Sequence, residues 1–483
     1  MKTTLLYIFV VACIAAASQL ISCTTSYKPV RHYFEPGMHT HYDSSRYRLH
    51  EVIVIYKKPP TLPDVQTIRD WMHRNNSVDT TKIERQKCNS CNGYMELWQA
   101  PDIHSVINAD GIAGGTVSPK GSKGVGEDGI AYYSLNFYQN IPIQSIENFG
   151  TIKFDSVRKR ENDRREKEVV RIAVLDTGVD TAQIINPSYL WKNQSEASMT
   201  AKQHVDDDSN CYTDDVFGWN FIGKNNNVHD DNNSRHGTLV SQYIINQFAG
   251  SGTRAVELIT LKTHDARGQG DLFSAICAIY YAMEKEAKII NASWGFYYYD
   301  KDPHPFLDSL ITQVLRGKGI LFVAAAGNRT AESDEFAHDA YKAEHGIDIP
   351  DSYLRNLEYH NFYPACLSRS ENNVIAVTTA DKVKVSPTQN YSEQYVDAGA
   401  FPDDTNTMRF LVPFPDTNIT VSGSSFAAPI ISGRIGALLP AESYVPGINK
   451  GGVLSQMEGS SSIERSSSLT AEHIRLGRIT KQN

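Results

Sequence analysis

Apolar and polar residues alternate with two different periods along most of this chain. From residue 169 onward, short apolar runs typical of strands are separated by longer stretches whose apolar positions recur at helical spacing. The strand-like runs are 170–175, 256–261, 288–293, 320–325 and 373–378, and the helical stretches include 236–247, 271–286, 306–316 and 425–438. This alternation predicts an α/β fold, a parallel sheet with helices on both faces. Functional residues are then expected at the carboxyl ends of the strands.

A second, smaller group of elements precedes this region. Their order is strand, helix, strand, helix, strand, at residues 51–56, 65–74, 94–98, 103–107 and 133–137. This order indicates a small α+β domain over residues 45–145. The glycine-rich segment 111–129 is predicted to be a flexible loop, because no strand and helix flank it in the pattern of a phosphate-binding loop.

Two polar segments bound the larger region. Residues 146–168 end in a run of mixed charge, which indicates a solvated linker or an exposed junction at which the chain is cut. The larger domain is predicted over 169–440. Residues 441–483 are predicted to be a polar tail in which 469–477 has the pattern of a last helix.

The first residues have the character of an export signal, predicted over 1–22. Lys2 precedes an apolar run, 5–17, that is too short to span a bilayer. The following Leu20-Ile-Ser-Cys23 resembles the lipobox of bacterial lipoproteins, which implies lipidation of Cys23 and a lipid anchor in the cell envelope. Thr24 in place of Asp leaves an outer-membrane destination open. The alternative is an ordinary secretory signal with an incidental cysteine.

Composition and cysteines narrow the class of protein. Of the 483 residues, 41% are hydrophobic and 21% charged, as in a globular protein, and the net charge of −8 gives no basic surface for nucleic acid. The spacing of Cys88 and Cys91 predicts a local disulfide rather than zinc, because a second ligand pair is lacking. Cys277 lies in an apolar helical stretch and is predicted to be a small buried hydrophobe.

Three segments carry residues suited to nucleophilic catalysis. Asp176 ends an apolar strand in Ile172-Ala-Val-Leu-Asp176-Thr-Gly178, His236 begins a helical stretch, and Ser425 stands in Ser422-Gly-Ser-Ser425-Phe-Ala-Ala-Pro429 at a helix start. A serine hydroxyl becomes a good nucleophile only when an imidazole takes its proton, and a carboxylate must orient that imidazole. Asn328 follows the apolar run 320–325 and offers an amide to an oxyanion.

The motifs Asp176-Thr-Gly, His236-Gly-Thr, Ala326-Gly-Asn328 and Gly423-Ser-Ser425, in this order, resemble those of the subtilisin-like serine proteases. The resemblance covers roughly residues 168–437. It implies a catalytic triad of Asp176, His236 and Ser425 with Asn328 as oxyanion donor. The small departures are Ser424 in place of the frequent Thr, Phe426 in place of Met and Leu239 in place of a second His.

The resemblance also implies a substrate site and an inhibitor. The wall segments, which flank the pocket for the residue before the cleaved bond, are expected to contain Ser293, Trp294, Gly295, Ala326 and Gly327. Extended polypeptide substrates are expected to pair with them as an added strand. The position of domain 45–145 resembles that of the propeptide that inhibits such proteases and assists their folding.

One acidic loop is a candidate metal site. Hard oxygen ligands suit calcium, and the loop 205–215 offers Asp206, Asp208, Asn210 and Asp214. Against this, the spacing is not that of an EF-hand, and acidic surface loops are commonly just solvated. No cofactor is required for the predicted chemistry, and a structural calcium ion is the open alternative.

The predicted function is therefore a secreted or lipid-anchored serine endopeptidase made as a zymogen. One alternative is a catalytically silent protein-binding module on the same scaffold, but all four catalytic residue types are present. Another is a carboxylate-type (sedolisin) serine protease, but the neutral His236-Gly-Thr motif argues against that.

Overall fold

The computed structural model describes residues 47–56, 58–88, 94–101, 103–108, 131–141, 164–182, 185–198, 200–297, 305–329, 338, 342, 346–414, 418–470 and 473–481. These all belong to one compact unit, Phe34–Asn483. The predicted signal with Cys23, the glycine-rich loop and residues 146–163 of the predicted linker lie outside the described residues. Within the described part of the chain, no helix has the length and apolar character needed to span a membrane.

The N-terminal domain is an antiparallel sheet packed against a helix. Its elements are β1 (Tyr47–Tyr56), α1 (Leu62–Asn76), β2 (Glu84–Lys87), β3 (Met95–Gln99), α2 (Ser105–Asn108) and β4 (Ala131–Asn140). The strand order is β2-β3-β1-β4. α1 begins in a capping box, in which Asp64 N donates to Thr61 Oγ1 and Thr61 N donates to the Asp64 carboxylate. Its Trp71 ring stacks on Tyr133 of β4 at 5.7 Å.

A nine-stranded sheet forms the centre of the second domain. The strands of this part of the chain are β5 (Glu168–Asp176), β6 (Gly218–Asn220), β7 (Arg254–Lys262), β8 (Gln269–Asp271), β9 (Ile289–Ala292), β10 (Phe296–Tyr297), β11 (Leu321–Ala325), β12 (Phe362–Tyr363), β13 (Val374–Thr379), β14 (Val396–Ala400), β15 (Phe410–Leu411), β16 (Thr420–Val421), β17 (Ile463–Arg465) and β18 (Arg478–Thr480). The sheet order is β17-β18-β14-β13-β11-β9-β5-β7-β6, parallel except for β17. Its central strands are almost wholly apolar because both faces are covered.

Helices cover both faces of this sheet, which confirms the predicted α/β fold. The helices are α3 (Gln194–Ala197), α4 (His236–Gln247), α5 (Leu272–Glu284), α6 (Pro305–Ser309), α7 (Asp351–Arg355), α8 (Ser424–Leu438) and α9 (Lys450–Gly459). α4 and α8 share one apolar cluster with the sheet, whereas α5 belongs to the cluster on the other side. α6 continues into a π-helical turn at Leu310–Leu315.

The predicted polar tail is part of the second domain. β17 and β18 extend the main sheet at its edge, and α9 buries Val453, Leu454 and Met457. The predicted last helix is instead a short 3₁₀ turn at Arg475–Gly477. The apolar positions of these short elements are few and widely spaced, so their sequence resembled that of a solvated tail.

The sheet of the N-terminal domain continues into the second domain. β8 pairs antiparallel with the end of β4, with Tyr138 opposite Asp271, and Ile141 N donates to Gly268 O at 2.8 Å. Gly268 has a φ of +75°, and a Cβ there would lie 2.5 Å from the carbonyl oxygen of Ile141. This close approach therefore requires glycine.

The start of α5 is a second contact between the domains. The backbone N–H groups at a helix N-terminus lack intrahelical acceptors. Asp271 accepts the N–H of Ser274 at 2.9 Å, and Asn136 of β4 accepts the N–H of Phe273 at 3.0 Å. The N-terminal domain thus supplies part of the cap of α5.

A disulfide is the third contact. The predicted Cys88–Cys91 pairing is wrong: Cys88 is bonded to Cys277 of α5, 189 positions later. α5 packs into an apolar core shared with the N-terminal sheet, and this packing brings Cys277 to the end of β2. Cys277 is buried as predicted, but as half of a disulfide. Cys211 is also disulfide-bonded, whereas Cys366 is a buried free thiol.

Candidate active site

Asp176 lies at the carboxyl end of β5, where a tight turn begins. Its Oδ1 accepts the N–H of Thr177 at 2.8 Å and Nδ1–H of His236 at 2.7 Å. Gly178 makes the turn possible, because its φ is +112° and a Cβ there would lie 2.5 Å from the carbonyl oxygen of Val228. The carboxylate is 1% exposed, so the hydrogen bond to the histidine is shielded from water.

His236 is the first residue of α4 and its side chain is almost wholly buried. Since Nδ1 donates its proton to Asp176, Nε2 carries the free lone pair of the neutral ring. Among the described residues, Nε2 has no hydrogen-bond partner. The ring lies 5.0 Å from that of Phe426, next to Ser425. The imidazole is therefore oriented and available as a base.

Asp230 connects the turn of Asp176 with the start of α4, and the sequence did not reveal it. Its carboxylate accepts Thr177 Oγ1–H at 2.9 Å, Thr238 N–H at 2.9 Å and Thr238 Oγ1–H at 2.6 Å. Burial raises its pKa, and these hydrogen bonds act in the opposite direction. The only signal in the sequence is an acidic residue shortly before His236, in a loop with several others.

Ser425 is the second residue of α8. Its carbonyl cannot bond to residue 429, because Pro429 has no N–H. Ser293 Oγ replaces that partner and donates to the Ser425 carbonyl oxygen at 2.8 Å. Ser293, predicted as part of the substrate pocket wall, thus holds the backbone of Ser425, the predicted nucleophile.

Asn328 follows β11 and faces the start of α8. Its Oδ1 accepts Ser424 N–H at 2.9 Å and Ser424 Oγ–H at 3.2 Å. Asn328 Nδ2 and Ser425 Oγ each lie 3.2 Å from the position that a Cβ of Gly423 would take. The amide of Asn328 and the hydroxyl of Ser425 thus face the same space, which glycine keeps open.

The remaining predicted wall residues have different surroundings. Trp294 is 2% exposed and packs in the core near His264, at a ring distance of 6.4 Å, so it does not offer an open wall. Ala326 is buried next to Gly327, whose N–H donates to Ser424 Oγ at 3.0 Å. Ser424 therefore supplies the hydroxyl that the more frequent threonine would supply.

The acidic loop forms a different cluster from the predicted one. Glu196, Asp206 and Asp208 each offer an oxygen within 4.8 Å of the others. Asn210 and Asp214 use their side chains elsewhere, in hydrogen bonds to Asp215 and to the N–H of His204. Lys285 Nζ lies 3.1 Å from Asp208 and partly neutralises the cluster. Calcium at this loop stays a prediction.

The chain belongs to the subtilase family, because the model described as Subtilase family matches residues 167–447. This is a family of serine-type peptidases. Subtilisin-like protease 1 of Plasmodium vivax is 32% identical over 215 residues, which are 43% of this chain and 30% of that protein. The Plasmodium berghei protein of the same name is 26% identical over 283 residues, or 56% and 43% of the two chains. This chain thus spans less than half the length of these curated relatives.

A solved structure shows a similar fold. Fervidolysin from Fervidobacterium pennivorans, a keratinolytic enzyme related to subtilisin, matches with a TM-score of 0.50 over 93% of this chain and 63% of that chain. The sequence identity is 14%, so this likeness concerns the fold alone.

Proposed function

We propose that this chain is a serine endopeptidase that acts through Asp176, His236 and Ser425. The observation that carries the proposal is the buried 2.7 Å hydrogen bond from His236 Nδ1 to Asp176, which leaves Nε2 without a partner in the described structure. His236 Nε2 takes the proton of Ser425 as Oγ attacks the peptide carbonyl. Asn328 Nδ2 donates to the carbonyl oxygen as it becomes negative. The imidazolium then protonates the leaving amine, and water hydrolyses the acyl-enzyme.

The test is to replace the nucleophile. Ser425→Ala should lower kcat on polypeptide substrates by on the order of 10⁴–10⁶-fold, because members of a triad act as a unit. The matched control is Ser468→Ala, which removes the hydroxyl of an exposed serine and should leave kcat unchanged. Near-wild-type hydrolysis by purified Ser425→Ala would remove Ser425 from the role of nucleophile. No hydrolysis by mature wild type would instead favour the alternative, a silent binding module.

We further propose that the N-terminal domain inhibits the enzyme before maturation. Its last strand, β4, pairs with β8, and Phe137 of β4 stacks on Phe296 at 5.0 Å, directly after the wall segment that ends at Gly295. A domain that packs next to this wall segment competes with a substrate that binds there as an added strand. Wild type should be cut between about residues 140 and 168, and Ser425→Ala should remain uncut. Intact-mass measurements of both proteins after reduction decide the matter.

Export and lipid anchoring are also proposals, supported by the apolar run 5–17 and by Cys23. Expression with radiolabelled fatty acid in a bacterial host tests them. Label in wild type but not in Cys23→Ser supports the anchor. Secretion of unlabelled protein would show an ordinary signal peptide instead.

A further inference from the structure

The substrate residue whose carbonyl is attacked, here called the acyl residue, must place its side chain beside the nucleophile. Two segments flank Ser425, and they continue from the adjacent parallel strands β9 and β11. Ser293 Oγ donates to the Ser425 carbonyl oxygen at 2.8 Å, and Gly327 N donates to Ser424 Oγ at 3.0 Å. These are the wall segments that the resemblance implies, and the side chain of the acyl residue is expected to enter between them.

One aromatic ring occupies this space. A Cβ on Gly295 would lie 2.3 Å from Cε1 of Phe362, and a Cβ on Gly327 would lie 2.9 Å from the same atom. The ring of Phe362 thus touches both glycines and bridges the two segments. It is 8% exposed, so little of its surface is free for a substrate side chain.

The ring is fixed by its neighbours. Phe362 lies on β12, opposite Tyr297 on β10, and the two rings meet edge to face at 5.0 Å. The Tyr297 hydroxyl accepts from Asn390 Nδ2 at 3.1 Å and donates to the carbonyl oxygen of Asn328 at 3.3 Å. Asn390 also donates to the carbonyl oxygen of Ala326 at 2.9 Å. Displacing Phe362 would therefore disturb the segment that carries Asn328, the proposed oxyanion donor.

We propose that Phe362 closes the pocket for the acyl residue and restricts this residue to glycine, alanine or serine. The proposal rests on the proposed peptidase function. A larger side chain would have to displace a packed ring held on several sides, and overpacking of this kind is strongly unfavourable. Both glycines are needed for the arrangement, because any side chain at Gly295 or Gly327 would overlap the ring.

The experiment measures kcat/KM on peptide substrates that differ only in the acyl residue: glycine, alanine, leucine or phenylalanine. Wild type should cleave the alanine substrate at least about 100-fold better than the phenylalanine one, within the range that pocket size can produce. Phe362→Ala should raise kcat/KM for the phenylalanine substrate at least tenfold. Phe362→Leu is a milder change in the same buried position and should raise kcat/KM for the leucine substrate. This variant keeps the test valid if Phe362→Ala does not fold.

The controls separate this proposal from the proposed function. Phe401→Ala alters a different phenylalanine, which is partly buried and lies outside β10 and β12. This variant should keep the wild-type preference for the acyl residue. Equal cleavage of all four substrates by wild type, or an unchanged preference in folded Phe362 variants, would overturn the role of Phe362 while leaving the peptidase intact. No cleavage of any substrate by mature wild type would instead count against the proposed function.

Discussion

Asp230 holds the turn after Asp176 against the start of α4, which carries His236. Asp230→Ala leaves the hydroxyls of Thr177 and Thr238 and the N–H of Thr238 without their acceptor. We expect a loss of about 3 kcal/mol of unfolding free energy, because each buried unsatisfied donor is costly. We also expect kcat to fall at least tenfold with little change in KM. The control is Asp348→Ala, which removes an exposed carboxylate. An unchanged kcat in Asp230→Ala would show that Asp230 supports only the fold.

Asn328 can be tested in the same way. Asn328→Ala removes the amide that faces the same space as Ser425 Oγ. It should fold and lose roughly 10²–10³-fold in kcat, as expected for one oxyanion donor. Its Oδ1 also accepts from Ser424, so the unfolding free energy must be compared as well. If KM alone rises, the oxyanion assignment is wrong.

His264 predicts a dependence of stability on pH. Burial lowers its pKa to about 4, against the opposing charge of Asp176. Between about pH 6.5 and pH 4, the His264 side chain binds a proton in the unfolded chain but not in the folded chain. The contribution of His264 to stability is therefore complete above pH 6.5 and falls as the pH is lowered. The expected loss is about 3 kcal/mol.

The measurement is denaturant unfolding at pH 7 and pH 4.5 in a Ser425→Ala background, which prevents self-digestion. His264→Gln should reduce the acid-induced loss, whereas exposed His229→Gln should not. An equal loss in all three proteins would assign the acid sensitivity to other groups.

At the scale of elements, Pro429 in α8 and Ser293 after β9 form a coupled pair. Ser293→Ala leaves the Ser425 carbonyl without its partner, because Pro429 cannot supply an N–H. We expect a loss of about 1–2 kcal/mol. In a Pro429→Ala background the helix can supply the missing N–H, so the same Ser293→Ala change should cost less. A double-mutant cycle measures this coupling, and strict additivity would contradict it.

The sequence predicted those elements whose period repeats over several residues. The main strands and α4, α5 and α8 follow from their own apolar pattern. The last two strands along the chain, β17 and β18, could not be predicted, because three-residue strands have no measurable period. Asp176 and His236 were recognised from local motifs and lie together, whereas Asp230 and Phe362 act through neighbours distant in sequence. Cys88 pairs with Cys277 for the same reason: tertiary packing, not spacing, decides the partner.

At the scale of the whole molecule, several contacts join the two domains in the part of the chain that the structure describes. β4 continues the sheet onto β8, Asn136 helps to cap α5, and the Cys88–Cys277 disulfide joins β2 to α5 covalently. The disulfide survives a loss of the non-covalent contacts. A cut between about residues 140 and 168 therefore separates the backbones of the two domains without freeing the N-terminal domain, whose effective concentration next to the wall segments stays high.

We therefore expect maturation to be visible only after reduction. Without reductant, cut wild type should migrate with the uncut Ser425→Ala protein, and its non-reduced digest should contain a peptide that links Cys88 to Cys277. With reductant, wild type should separate into two chains, and its activity should rise as the N-terminal domain, the proposed inhibitor, dissociates. Separation without reductant would show that the disulfide does not form. A fully active wild type of uncut mass would show that the N-terminal domain is a permanent accessory domain.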